Sequence, residues 1–482
     1  MTIATTSADA PISDALPVLA EAPKKKSAGA AGTSGKDRPK RTHTTHGTSP
    51  RFDLPGGAVG FVESSTVVPL VSISLSLRSG SLADAEGKDG LSRITARMMR
   101  RGCKGMTSSE IESAVDRLGG EFGFDVGPST ISLHGQVIRR NLLPFIELIA
   151  RILGTPTFDP DELARLKRET VAELLETRDN DRALAGLAFR RALFAGHPYS
   201  RTAAGRRAGV ETITRDEVLA TYARRFVQSD VVIGFAGAIT EDEAKTLGAQ
   251  LVRALPEGPH VETVLMDPTP PRGRHLFFVD KPERTQTQIL IGTLGTHARD
   301  PDHWPLVAAT AVFGGTFTSR MMREIRSKRG WSYGTSARLS IERKRHAFTM
   351  GAFPAAADCA PCVSLELKLL EDFTKDGITP RELAFIKTYL IRSHAFEIDT
   401  APKRLGQALE AELLDLPPDY HTRYLHHVHA VTLESANAAV ASRLTAKDLV
   451  VVVVGTASEI LDPVTKAIPD LVDHVVIPFD RD

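Results

Sequence analysis

This sequence predicts an α+β fold built from two tandem homologous domains, each a mainly antiparallel sheet layered with helices. Three observations carry that expectation. Phrases recur along the chain: "SDVVIGFAGAITEDEA" and "KDLVVVVVGTASEI" align Gly237 with Gly455, an offset of 218, and Thr214 aligns with Thr432 at the same offset. Leu163 and Leu383 lie 220 apart, and Gly80 and Gly295 lie 215 apart. Correspondences in one order at a near-constant offset mark a duplication of a unit of about 200 residues, an ordinary domain size. Each copy also opens on an alternating strand, "VSISLSLRSG" or "TQILIGTLGT", and closes on a β-branched strand ending in Gly. Between them strands and helices mix without regular βαβ alternation, which favours sheets layered with helices over a Rossmann or barrel fold.

Taken in order, residues 1–50 form a tail rich in Ala, Ser, Thr, Pro and Gly, with seven basic against four acidic residues and no apolar period, and are expected to be disordered. The first domain is assigned to 51–255 and the second to 273–482. Residues 256–272 join them as an extended linker marked by Pro256, Pro259, Pro268, Pro270 and Pro271. Sixty basic and fifty-nine acidic residues give a net charge of +1, so no global field argues for nucleic acid or an anionic membrane. The lysines of the tail follow a broken, weakly apolar stretch instead of preceding an apolar core, and nothing approaches a membrane span, so the cytoplasm is the default location and the periplasm stays open. Three cysteines exclude a disulfide-built scaffold. Cys359 and Cys362 form a C-x-x-C, but it precedes a helix-like run outside any thioredoxin context and has no second ligand pair for zinc.

The chemistry concentrates in two stretches. In "GLSRITARMMRRG", residues 90–102, Leu91, Ile94 and Met98 fall on one helical face, while Arg93, Arg97 and Arg100 fall at i, i+4, i+7 on another. Alone, the stretch reads as a solvated basic face on a packed helix. In "REIRSKRGWSYG", Met322 and Ile325 suggest a helix, Lys328 and Arg329 suit its negative last turn, and Gly330 suits its cap. Trp331, Tyr333 and Thr335 then alternate as a strand does. That puts Arg326 near a helix end and Tyr333 at a strand's start.

With these stretches goes a series of blocks in one order: "LGGEFGF", "PTFDPDELARLKRETVAELLETRDND", "GHPYSRTAAG", "FGGTFTSRMMREIRSKRGWSYG" and "GITPRELAFIKTYL". Through them the chain resembles, over residues 51–482, the pitrilysin family of zinc metallopeptidases, the inverzincins, and especially its two-domain bacterial members. In active members the position of the arginine-rich helix carries H-x-x-E-H, two zinc-binding histidines and the glutamate that activates water. Here those positions read Arg93-Ile94-Thr95-Ala96-Arg97. A guanidinium has no free lone pair to offer a metal, and Ala96 cannot take a proton. The third ligand position survives as Glu173, with Glu169 and Glu176 a turn away. Arg97 and Arg93 are therefore expected to replace the metal's charge and pair with Glu173.

The resemblance further implies that Arg326 and Tyr333 match the arginine and tyrosine that the family's second domain brings against the zinc site, the tyrosine bonding the scissile carbonyl and the arginine holding substrate. A chain that keeps this pair and loses the zinc motif resembles the non-catalytic subunit of the heterodimeric members. The expected partner is a homologous subunit with an intact H-x-x-E-H, carrying the zinc; this chain would hold no cofactor, and the substrate would be an unstructured peptide. A pseudopeptidase acting as a peptide-binding or scaffold protein is the alternative, and an autonomous peptidase with another metal site is a third, for which no ligand set is visible. His421, His426, His427 and His429 read as a polar helix face, His197 as structural, and Gly314-Gly315 as too short for the long glycine-rich substrate loop of the α subunit of the mitochondrial processing peptidase, whose subunits the chain also resembles.

Overall fold

The computed structural model describes residues 49–481, and the tail reading lies outside them but for its last two residues. The strands are β1 (Arg51–Asp53), β2 (Val59–Ser64), β3 (Leu70–Leu77), β4 (Gly102–Cys103), β5 (Met106–Thr107), β6 (Gly120–Val126), β7 (Ile131–Ile138) and β8 (Val231–Gly237) in the first half. The second half carries β9 (Arg274–Asp280), β10 (Gln288–Leu294), β11 (Thr335–Leu339), β12 (Ala347–Ala352), β13 (Leu449–Gly455) and β14 (Leu471–Pro478). Two six-stranded sheets result, in the orders β1-β2-β8-β3-β7-β6 and β11-β12-β10-β13-β9-β14, with β4 and β5 as a small separate ribbon.

The duplication is visible strand by strand. The strands expected to open the copies, β3 and β10, are each preceded by another, β2 or β9, which pairs in parallel with the β-branched strand β8 or β13, and the other inner pairings are antiparallel. The copies differ at one edge, where β1 runs antiparallel to β2 but β14 runs parallel to β9. Gly237, which ends β8, has φ +117° and leaves a side chain no room, since a Cβ there would lie 2.1 Å from the Leu70 carbonyl oxygen.

The valine run of β13 is explained by burial on both faces. Leu449, Val451 and Val453 enter one core, formed with the second half's own helices, while Val450, Val452 and Val454 enter another. That second core is completed by Leu184, Ala188, Phe189 and Leu193 from the helix Asp181–Leu193, which belongs to the first half. The reciprocal holds: the helix Ala401–Leu413 of the second half lays Ala401, Leu405 and Leu409 on Val59, Phe61, Val232 and Ala236 of the first sheet. Glycines admit the large side chains, Gly292 facing the Phe189 ring and Gly234 facing Leu405, where added Cβ atoms would come within 2.8 Å and 2.6 Å. Ion pairs fasten both exchanges, Lys281 to Asp181 at 2.7 Å and Arg404 to Glu63 at 3.1 Å. Each half thus buries its outer sheet face only with the other's helix.

Residues 256–271 carry no helix or strand, but they are pinned: His260 bonds Asp230 at 2.5 Å and the Met266 carbonyl meets His197 Nε2 at 2.9 Å.

Candidate functional site

The helix Leu91–Met99 is held at its start by Asp84, whose carboxylate accepts from the Gly90 and Ser92 backbone N–H groups at 3.0 and 2.9 Å and from the Ser92 hydroxyl at 2.5 Å. Burial pushes the Asp84 carboxyl up to about 6 despite those bonds. Leu91, Ile94 and Met98 are buried, as the helical period predicts, and so are Thr95, Ala96 and Met99. Ala96, which the resemblance aligns with the water-activating glutamate, lies in the core at 0% exposure.

On the polar face, Arg97 grips Glu173 with two bonds, Nη2 to Oε1 at 2.7 Å and Nη1 to Oε2 at 3.0 Å, while Arg93 Nη2 donates to Oε2 at 2.9 Å. Arg97 also donates to the buried Thr170 hydroxyl at 3.2 Å. Glu173 comes from the facing helix Pro160–Glu176, started by Asp159, which caps the Asp161 and Glu162 N–H groups, and by Pro160 in its first turn. Partial burial pushes the Glu173 carboxyl up, and the hydrogen bonds and charges of Arg97 and Arg93 outweigh it, leaving the group below the usual carboxylate range. The expected pairing is present, and Glu173 is the residue that makes it; Glu169 instead bonds Arg101.

The remaining arginines are not a bare solvated face. Arg100 forks onto Glu112 at 2.7 and 2.6 Å, donates to the Phe122 carbonyl at 2.7 Å and lies over the Phe122 ring. Arg101 adds Glu162 at 3.6 Å. Every arginine of the stretch is thus matched by a carboxylate, a spacing no single helix pattern reveals.

This donor set does not fit zinc. Of the three positions that the resemblance aligns with zinc ligands, two hold guanidinium groups, and both oxygens of the third are engaged by them. Among the described residues no other group of three or more His, Cys, Asp or Glu side chains is placed to hold a metal ion. Cys359 and Cys362 are buried free thiols, and burial pushes both upward in pKa.

In the second half, Arg326 lies in a π-helical segment, Met322–Ser327, and Gly330, at φ +67°, donates to the Arg326 carbonyl at 3.0 Å as it ends the turn. The strand starts at Thr335, so Tyr333 stands two residues before it and not on it. The Ser332 hydroxyl explains this: it bonds the Gly334 carbonyl at 2.6 Å and draws the chain into a turn. Tyr333 is 82% exposed, and the Arg326 guanidinium lies 4.8 Å from its ring centre. Sequence reasoning missed Phe317, whose ring is 4.5 Å from the same guanidinium; an aromatic inside the polar "GGTFTSR" was the available signal. Gly314 packs on Ala337 of β11, and a Cβ there would lie 2.3 Å from its backbone nitrogen. Among the described residues no hydrogen bond or ion pair joins Arg326 or Tyr333 to Arg93, Arg97 or Glu173. His427 stacks on Trp304 at 5.2 Å, more embedded than a polar face implies, and His197 accepts from the Tyr199 N–H in a structural turn.

Comparison with known proteins agrees with this geometry. Residues 61–206 match the insulinase family, peptidase family M16, and residues 212–390 match the peptidase M16 inactive domain. A non-peptidase homolog from Helicobacter pylori is 21% identical over 397 residues, covering 81% of this chain and 90% of that protein. An uncharacterized zinc protease from Mycobacterium tuberculosis is 25% identical over 397 residues, with coverages of 80% and 89%. The crystal structure of a peptidase M16 inactive domain from Pseudomonas fluorescens superposes with a TM-score of 0.78 at 25% identity, covering 84% of this chain and 98% of that one. The duplicated fold, the block order and these matches converge: the chain is a two-domain member of peptidase family M16, the insulinase or pitrilysin family.

Proposed function

We propose that this chain is the non-catalytic, substrate-binding subunit of a heterodimeric zinc metallopeptidase, supplying Arg326 and Tyr333 to an active site whose H-x-x-E-H lies on a homologous partner. The observation that carries this reading is a contrast within the molecule: Glu173 is closed off by Arg93 and Arg97, whereas Arg326 and Tyr333 have no carboxylate partner among the described residues and Tyr333 faces solvent. In the assembled site Tyr333 donates its hydroxyl proton to the scissile carbonyl as charge develops on the oxygen, and Arg326 anchors the substrate. A single such donor is worth about 10²-fold to 10³-fold in rate.

The test is co-expression with a homologue that keeps H-x-x-E-H, followed by cleavage of an unstructured peptide. The expected result is that this chain alone cleaves nothing, the pair does, and Tyr333→Phe slows the intact pair about 10²-fold or more. An unchanged rate refutes the shared site. The name of the Helicobacter pylori relative favours the second reading, a pseudopeptidase that binds peptides or serves as a scaffold. On that reading the pair cleaves no faster than the partner alone.

A further inference from the structure

Arg326 differs from the cations around it. Arg323, Lys328 and Arg329 all converge on Glu324, at 3.4, 2.8 and 3.2 Å. Arg326 reaches no carboxylate among the described residues and lies instead over Phe317 and Tyr333. Those rings are 73% and 82% exposed, an exposure that large aromatic side chains adopt where they meet a ligand more readily than in ordinary packing. Contact with ring faces orients a guanidinium and leaves its in-plane N–H donors unspent, and those donors match a carboxylate in a two-bond fork. The surroundings favour an anion, because residues 323–329 carry four cations against the single carboxylate of Glu324. The segment holding Arg326 is π-helical, a distortion that recurs at functional sites.

We propose that Phe317, Arg326 and Tyr333 form a receptor for a peptide carboxylate, Arg326 gripping it and Phe317 acting as the positioning residue that holds the guanidinium plane. This rests on the peptide-binding reading above and narrows it to acidic peptides. The carboxylate comes either from an Asp or Glu side chain or from the peptide's C-terminus, and both present the same two oxygens.

The test uses the full chain alone and fluorescence anisotropy with four versions of one labelled unstructured peptide: internal Glu or Gln, each with a C-terminal acid or amide. Carboxylate-bearing versions are expected to bind about tenfold tighter than the Gln amide, with the preference falling as salt rises. A preference for the Glu amide assigns the side chain, and one for the Gln acid assigns the terminus. Arg326→Lys keeps the charge and should erase the preference; Phe317→Leu should reduce it several-fold and Phe317→Tyr should preserve it, the preference being read in each variant as the ratio to that variant's own binding of the Gln amide. Equal binding of all four peptides, or a preference that survives Arg326→Lys, overturns the inference and leaves peptide binding standing. Failure of every peptide to bind overturns the peptide-binding reading and the inference with it.

Discussion

The two halves of this molecule share a sheet topology but treat their site residues in opposite ways. In the first half, every charged group at the site is paired. Glu173 meets Arg93 and Arg97, and Arg100 and Arg101 meet Glu112 and Glu169. In the second half, Arg326 lies over two exposed rings and meets no carboxylate among the described residues. The difference lies in what each site faces: Glu173 stands on a helix packed against the one that carries Arg93 and Arg97, whereas Arg326 faces two aromatic rings. A carboxylate between two packed helices needs compensating positive charge, and a guanidinium fork supplies it with good geometry. A cation at the surface is satisfied by water and needs no internal partner, so it stays available for a ligand.

Three changes sharpen the contrast. Tyr333→Phe has the largest expected effect, the rate loss of about 10²-fold or more in the assembled pair, with thermal stability unmoved because the ring is exposed.

Next comes Glu366, which lies on the buried face of the helix Cys359–Asp376 with neither oxygen hydrogen-bonded; burial pushes its carboxyl up to about 8. Its folded pKa is raised above the unfolded one, so the stability it contributes is complete below the unfolded value and is lost as pH rises through about 8. Glu173 works in the opposite direction. Its folded pKa is lowered, so its contribution is present above the unfolded value and is lost as pH falls below the usual carboxylate range. Alkali should therefore loosen the second half and acid the first. Glu366→Gln should flatten the fall in stability between pH 5 and 9, a difference of about 2–4 kcal/mol at the alkaline end in denaturant titrations. An unaltered slope would mean that this carboxylate is solvated.

The smallest effect is expected from Glu173→Gln. With the carboxylate 39% exposed, solvent screening limits the loss to about 1–2 kcal/mol at neutral pH, shrinking in acid. A double-mutant cycle with Arg97→Gln should return most of that loss as coupling.

Much of the fold was legible. The duplication offset, the alternating strands and the buried faces of the motif helix follow from local patterns, and Glu173 was reachable by position. Other features were not legible because they depend on partners far apart in sequence. The five-valine run of β13 announces burial on both faces but not that the helix Asp181–Leu193 covers the second one, and β2 and β8 likewise do not name the helix Ala401–Leu413 as their cover. The pairing of Arg100 with Glu112 and Arg101 with Glu169 joins separate elements, and a helix pattern shows only charge. Phe317 was hidden because an isolated exposed aromatic has no period. Alternation of residue types puts Tyr333 at the strand's start, two residues early, since it does not report the Ser332 hydrogen bond that delays the strand to Thr335.

The most direct measurement of whether a salt bridge has taken over a metal centre is to put the ligands back. Arg93 and Arg97 stand four residues apart on one helix face and both reach Glu173, so Arg93→His with Arg97→His presents two imidazoles and one carboxylate, a three-ligand set of the type that holds catalytic zinc. Ala96 is left untouched because its buried position has no room for glutamate. Zinc content is then measured by elemental analysis after exhaustive dialysis. The expected result is about one zinc per chain in the double variant and none when Glu173→Ala is added, with far-ultraviolet circular dichroism unchanged. A folded double variant that retains no zinc would contradict the account.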